Sequence, residues 1–274
     1  MSDVKEVKNG FVELPGVRLY YEIAGEGKPV VFLHGGFLDG RMWDEQFQFF
    51  AQHYQVIRYD MRYAGKSETA PSTEPFTPYQ DVYLFLRALH IPRATLVGLS
   101  GGARFAIDCS IAYPDLVQKL VLVSPGMSGY MFLDEWTHKR NAELRQALSQ
   151  GDLAGVVEIF LTMWTDGPYR TPEQVDPAVR ERIREMATHT FPLTRLAPNF
   201  KELDPPAAGR LAEMHAPTLV VLGDKDTSDI HAIGKLLQEQ VARTELVMIP
   251  DVGHTLVMEK PVEFNAAVDR FLRG

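Results

Sequence analysis

Apolar and polar residues alternate through FVELPGVRLYYEIAGEG, which predicts two short strands meeting at Pro15-Gly16. Beyond that point alternation gives way to short continuous apolar runs: KPVVFLHGG, YQVIRYD, ATLVGLS and QKLVLVSPG. Such runs suit strands buried on both faces, as in a parallel sheet. The stretches RMWDEQFQFFAQH, TPYQDVYLFLRALHI and GARFAIDCSIAYP, which separate them, carry apolar residues at helical spacing. In the second, Thr77 is expected as N-cap with Pro78 in the first helical position. Strand and helix in alternation predict right-handed βαβ units in a mostly parallel sheet, an α/β fold.

The alternation stops after Pro125-Gly126. From Met127 to Gly209 the pattern is helical and rich in Arg, Glu and aromatic residues, with ELRQALSQGDLAGVVEIFLTMW and DPAVRERIREMATHTF as its clearest helices. The sheet pattern resumes with APTLVVLGDKD, a helix through IGKLLQEQVA, the strand TELVMIP and a last helix PVEFNAAVDRFLR. Residues 1–126 and 210–274 are therefore expected to form one core, with 127–209 inserted as a helical cap.

Composition narrows the function classes. The chain has 274 residues, 45% hydrophobic and 23% charged, as in an ordinary folded protein. Lys+Arg 28 against Asp+Glu 36 leaves a net charge of -8, which argues against a general nucleic-acid partner. One cysteine cannot form an internal disulfide, the first residues lack the apolar core of a signal peptide, and no run is long enough to span a membrane. The expectation is a cytoplasmic protein with no membrane partner; the oligomeric state is not encoded in any pattern here.

Candidate chemistry begins at Gly98-Leu99-Ser100-Gly101-Gly102, a G-x-S-x-G sequence. The pattern alone arises by chance in roughly one chain in ten of this length. Its setting gives it weight, because a buried strand precedes it and a helix follows. A sharp strand-to-helix turn would raise the Ser100 hydroxyl above the sheet edge; in the alternative, Ser100 merely caps the helix. A serine needs a base, and the base an orienting acid. Two later strands end in Asp224 and Asp226 and in Asp251 and His254, and in a parallel sheet these loops leave the same edge as Ser100. His53, His90 and His215 fall at element boundaries, and His138, His189 and His231 are read as solvated or cap-lining. His34-Gly35-Gly36-Phe37 closes another buried strand, where backbone N–H groups could face a developing oxyanion. The donors expected are those of Gly101 and Gly36, with Phe37 as second choice to Gly36; His34 can be structural in either case. There is no H-E-x-x-H, C-x-x-C or phosphate-loop motif, and neither a metal nor a cofactor is required.

With these residues in place the chain resembles the α/β-hydrolase superfamily, specifically its cap-bearing serine hydrolases of the esterase and enol-lactonase type. The resemblance runs through VVFLHGG, DMRYAGKS, VGLSGG, PTLVVLGDKD and VGHTLVMEKPVEF. It implies Ser100 as nucleophile, His254 as general base and Asp226 as acid, the last because the family's acid stands third after the glycine closing its strand, here Gly223. A serine at the turn sets the chain apart from the haloalkane dehalogenases and epoxide hydrolases, and no Asp follows QKLVLVS. Two positions depart from the family pattern: Tyr63 replaces a glycine in Asp60-Met61-Arg62-Tyr63-Ala64-Gly65-Lys66-Ser67, and Gly101 stands where Met is common.

The cap contributes Tyr130, Met131, Phe132, Trp136, Phe160, Met163, Trp164 and Phe191, most of them expected to pack cap against core. Phe37, Tyr63, Phe132, Trp136 and Trp164 are expected to line the pocket, while Arg195 and Lys201 belong to a solvated face. An apolar lining favours a small-molecule ester or lactone. The expected activity is hydrolysis of small to medium apolar esters or lactones through an acyl-enzyme. The same constellation serves carbon–carbon bond hydrolases and cofactor-free perhydrolases, and a small-molecule receptor without turnover can keep the shell.

Overall fold

The computed structural model describes residues 6–70, 73–194, 197 and 200–274. Strands β1 (Lys8–Leu14) and β2 (Val17–Ala24) form an antiparallel hairpin whose turn places Gly16 at φ 75°, a conformation that glycine adopts without strain. The buried runs become β3 (Pro29–Leu33), β4 (Gln55–Tyr59), β6 (Ala94–Leu99), β7 (Val117–Val123), β8 (Thr218–Gly223) and β9 (Thr244–Ile249). A two-residue strand β5 (Glu68–Thr69), too short to leave a sequence signal, pairs with β2. The sheet order is β1-β2-β4-β3-β6-β7-β8-β9, antiparallel through β1, β2 and β4 and parallel from β4 onward.

Period two along the buried strands divides the core in two. Val31, Leu33, Leu96, Leu120, Leu122, Val220 and Leu222 pack with α2 (Pro78–Ala88), α3 (Gly101–Ala112) and α7 (Ser228–Gln240). Val30, Phe32, Val97, Val121, Val123, Leu219 and Val221 pack with α1 (Asp44–Phe50), the short α8 (Leu256–Glu259) and α9 (Pro261–Arg273). Strands that are apolar at every position can feed both clusters, which is why their sequences run without alternation. Unlike the central strands, β9 lies at the sheet edge, paired with β8 among the described residues, and Met248 is 44% exposed.

The helix expected from Arg41 starts later. Gly40–Trp43 form a 3-10 turn capped by Asp39, whose carboxylate accepts from the Arg41 N–H at 3.0 Å, and α1 follows. Thr77 takes the N-cap position of α2 but makes no side-chain cap bond; Pro78 at the first helical position has no N–H to satisfy.

Between β7 and β8 the described residues carry the helices α4 (Glu135–Gln150), α5 (Leu153–Leu161) and α6 (Pro177–Thr194). The long helix expected through ELRQALSQGDLAGVVEIFLTMW is two helices. Gly151 is left-handed at φ 72° and ends α4, and Asp152 starts α5 by accepting from the Gly155 N–H at 2.9 Å. Residues 162–166 continue α5 as a π-helical turn. Val156, Phe160, Leu161, Ile183, Met186 and Phe191 join the core cluster on the α1/α9 face, whereas Met131 is 76% exposed. Asp229 of α7 fixes the start of this segment by accepting from the backbone N–H groups of Leu133 and Asp134. Lys201 is exposed, and Arg195 lies outside the described residues. Among the described residues no helix is long and apolar enough to cross a membrane.

Cys109 sits on the buried side of α3, and burial, with the nearby Asp108 carboxylate, raises its thiol pKa. A thiol reagent is expected to leave the native protein unlabelled and to modify Cys109 only after denaturation; rapid labelling at neutral pH would refute this packing.

Candidate active site

Ser100 stands between β6 and α3 with φ 53° and ψ −110°, an uncommon conformation for a residue with a side chain. Conformations of this kind cost about 1–3 kcal/mol and persist only where their surroundings enforce them. Here the Ser100 N–H donates to the Val123 carbonyl at 2.9 Å. The Ser100 carbonyl accepts from Arg104 and Gly126 N–H groups at 3.0 and 3.1 Å. The flanking glycines are required by close approach. A Cβ on Gly98 would lie 2.6 Å from the Ala103 nitrogen, and one on Gly102 would lie 2.4 Å from the Leu33 carbonyl oxygen. A Cβ on Gly101 would meet only the Gly36 nitrogen, at 3.6 Å, so that position is open to larger residues.

His254 follows β9 in a loop that includes Asp251 at φ 62°. Its ring is buried, and Nδ1 lies 2.9 Å from Oδ2 of Asp226, which is 1% exposed. The other Asp226 oxygen accepts from the Thr227 N–H at 2.8 Å. With Nδ1 donating to the carboxylate, Nε2 is left as an acceptor. It is buried and has no hydrogen-bond partner among the described residues. Asp224 does not reach the histidine; one of its oxygens pairs with Lys225 Nζ at 3.0 Å. Burial works to raise the Asp224 carboxyl, but the Lys225 ammonium and neighbouring backbone N–H groups outweigh it and hold the carboxyl below its ordinary range.

Ser100, Gly101 and His254 line one cavity of about 190 Å³, together with Gly36, Phe37, Phe160, Trp164 and Thr255. The Trp164 ring lies 4.6 Å from the His254 ring. Gly36 is exposed to the cavity, and its N–H and that of Phe37 make no hydrogen bond within the described backbone. His34 is buried beside them: its Nδ1 donates to the Gly35 carbonyl at 2.8 Å, and its Nε2 accepts from the Met61 N–H at 2.9 Å. That pair ties the turn after β3 to the loop after β4.

A second cavity of about 360 Å³ shares Gly36 and Phe37 with the first and extends beneath Met61, Tyr63, Phe76 and Phe105. Tyr63 takes φ 59°, the conformation a glycine would favour, and its N–H donates to Thr69 Oγ1 at 3.1 Å. Tyr63 thus lines this cavity from a backbone position that a glycine would hold without strain. Phe132 and Trp136 line neither cavity. Phe132 packs edge-on against Tyr130, and Trp136 lies under the Arg140 guanidinium. The segment leading into α4 is held against α7 by Asp229, a contact that hydrophobic spacing alone could not reveal. Among the other histidines, His189 Nε2 meets the Gly65 carbonyl at 3.1 Å and His231 Nε2 the Gly223 carbonyl at 2.9 Å. Among the described residues no group of three His, Cys, Asp or Glu side chains is placed to hold a metal ion.

Arg170 is a site neighbour that sequence reasoning missed. Its guanidinium forks onto Glu259 at 2.6 and 3.1 Å, each side chain 6% exposed. It also donates to the carbonyls of Thr165, Asp166 and Asp251, so it joins the turn carrying Trp164 to the loop carrying His254. A single arginine in a polar loop carries no sequence signal of such a partner. Arg170→Met is expected to destabilise the protein by about 3–5 kcal/mol in urea unfolding, because Glu259 is left buried and unpaired. The double variant Arg170→Met/Glu259→Leu should recover most of that loss; a double variant as unstable as the single would show that the backbone contacts, not the ion pair, dominate.

The sequence model for the alpha/beta hydrolase fold matches residues 28–261. The chain is 25% identical to a pimeloyl-[acyl-carrier protein] methyl ester esterase of Nitrosospira multiformis, over 94% of this chain and 99% of that protein. It is 27% identical to a 2-hydroxy-6-oxo-6-phenylhexa-2,4-dienoate hydrolase of Comamonas testosteroni, over 95% and 93% of the two chains. Among solved structures, an N-acyl homoserine lactone degrading enzyme superposes with a TM-score of 0.76 at 27% identity, covering 96% of this chain and all of the other. The strand order, the strained serine after β6 and a family model spanning most of the chain lead to one assignment: this protein belongs to the alpha/beta hydrolase family.

Proposed function

We propose that the protein is a serine hydrolase of small to medium apolar carboxylic esters or lactones. Ser100 is its nucleophile, His254 its general base and Asp226 its orienting acid. The observation that carries this reading is the buried His254 ring, bonded to Asp226 through Nδ1 and with Nε2 free in the cavity that Ser100 lines. In the first step Ser100 Oγ bonds to the carbonyl carbon as His254 Nε2 takes its proton. The carbonyl oxygen becomes an oxyanion facing the N–H groups of Gly36 and Gly101, and Phe37 presents a further N–H beside them. His254 then protonates the departing oxygen, and a water deprotonated by His254 frees the acid from Ser100. Residues 127–209 act as the cap, which supplies Phe160 and Trp164 to the cavity wall. No cofactor enters these steps.

The test is steady-state hydrolysis of p-nitrophenyl esters from acetate to dodecanoate. Multiple turnover peaking at short or medium acyl chains supports the reading. A single turnover that stalls as a stable acyl-enzyme points to a receptor. The carbon–carbon hydrolase reading has one specific support, the Comamonas relative. Turnover of a 2-hydroxy-6-oxo-dienoate outpacing every ester would decide for it.

A further inference from the structure

We infer that the two cavities sort the substrate by its halves, so that the preferred ester joins a bulky apolar acyl group to a small alcohol. This rests on the serine-hydrolase reading above and goes beyond it by assigning each half a place. When the acyl-enzyme forms, the Ser100 Oγ–carbon bond is made, the bond from that carbon to the alcohol oxygen breaks, and the Nε2 proton passes to the alcohol oxygen. That transfer requires the leaving oxygen within hydrogen-bond reach of His254. The leaving group therefore occupies the cavity that contains His254, which is the smaller one, about 190 Å³, bounded by Trp164, Phe160 and Thr255.

The acyl group takes another direction from the same carbon. With its oxygen between Gly36 and Gly101, the open way is past Gly36, where a built Cβ meets no atom within 4 Å. Gly36 also lines the larger cavity, about 360 Å³, whose walls include Met61, Phe76 and Phe105. Phe37 stands between the two spaces. Its ring stacks on Phe191 of α6 at 4.0 Å and 7° and meets Phe160 edge-on at 5.5 Å. A side chain clamped by two others is a rigid partition, so the division does not depend on a mobile loop.

Isomeric ester pairs test this, since reversing the ester leaves size and composition unchanged. The wild-type protein should hydrolyse methyl octanoate at least about tenfold better in kcat/KM than heptyl acetate, and methyl phenylacetate likewise better than benzyl acetate, the scale set by misplacing methylenes in an apolar pocket. Thr194→Phe, at a half-buried wall position of the larger cavity whose hydroxyl bonds to the Thr190 and Phe191 carbonyls of its own helix, should cost methyl octanoate about tenfold more than it costs methyl acetate. Preference for heptyl and benzyl acetate, or equal losses on methyl acetate and methyl octanoate, would overturn the assignment. A serine-directed phosphonate separates the two levels. Labelling of Ser100 with reversed ester preference removes this inference alone, whereas no labelling and no ester turnover removes the serine-hydrolase reading and this inference with it.

Discussion

Ser100→Ala is expected to lower kcat on p-nitrophenyl butanoate by about 10⁶-fold, the scale at which removal of a nucleophile acting in concert with its base is felt. The fold should survive. Alanine keeps the Cβ, the backbone hydrogen bonds of Ser100 run through its N–H and carbonyl, and its side chain makes no cap bond to the start of α3. Ser100→Gly sharpens the test. Glycine relieves a φ of 53° that serine and alanine both endure, so Ser100→Gly should be about 1 kcal/mol more stable than Ser100→Ala while equally inactive. Denaturant midpoints and single-turnover labelling by a serine-directed phosphonate would report both quantities. Persistent labelling of Ser100→Ala would remove Ser100 from the mechanism. A Ser100→Gly protein no more stable than Ser100→Ala would mean that the turn is not strained against its surroundings.

The strain at Ser100 also explains how much of this protein can be read in its sequence. The parallel strands were legible because burial on both faces removes alternation, leaving runs such as ATLVGLS and APTLVVLG. The serine turn was legible because Gly98 and Gly102 are forced by backbone approach, and such glycines survive as a pattern. That His254 and Asp226 meet could be read because parallel strands deliver their following loops to one edge. What escaped was set by side-chain packing between distant segments. Phe37 against Phe191, Arg170 against Glu259 and Trp164 against His254 join segments more than eighty residues apart in chain order. Phe132 and Trp136 carried the same aromatic signal as Trp164, yet Asp229 anchors their segment elsewhere. Hydrophobic spacing states that a residue is buried; it does not state beside what.

Asp226→Asn is expected to cost about 10⁴-fold in kcat, and Asp224→Asn less than about twofold. The difference follows from hydrogen-bond direction. The Asp226 carboxylate can only accept, so it fixes the His254 proton on Nδ1 and leaves the Nε2 lone pair for the serine proton. An asparagine amide can turn its NH₂ toward Nδ1, which moves the ring proton to Nε2 and removes the base. The carboxylate charge is lost too, and with it the stabilisation of the imidazolium that forms when His254 takes the proton. Asp226 is almost wholly shielded from solvent, so that attraction is little screened by water. Asp224 touches Lys225 at the half-buried edge of the same loop and bears on neither effect. Burst kinetics on both variants, with unfolding midpoints to show that each is folded, would distinguish them. A folded Asp224→Asn protein that loses more activity than Asp226→Asn would move the acid by two residues. If Asp226→Asn kept near-full activity, the His254–Asp226 hydrogen bond would be structural, and the base would have to be oriented by the packing of Trp164 and Thr255 alone.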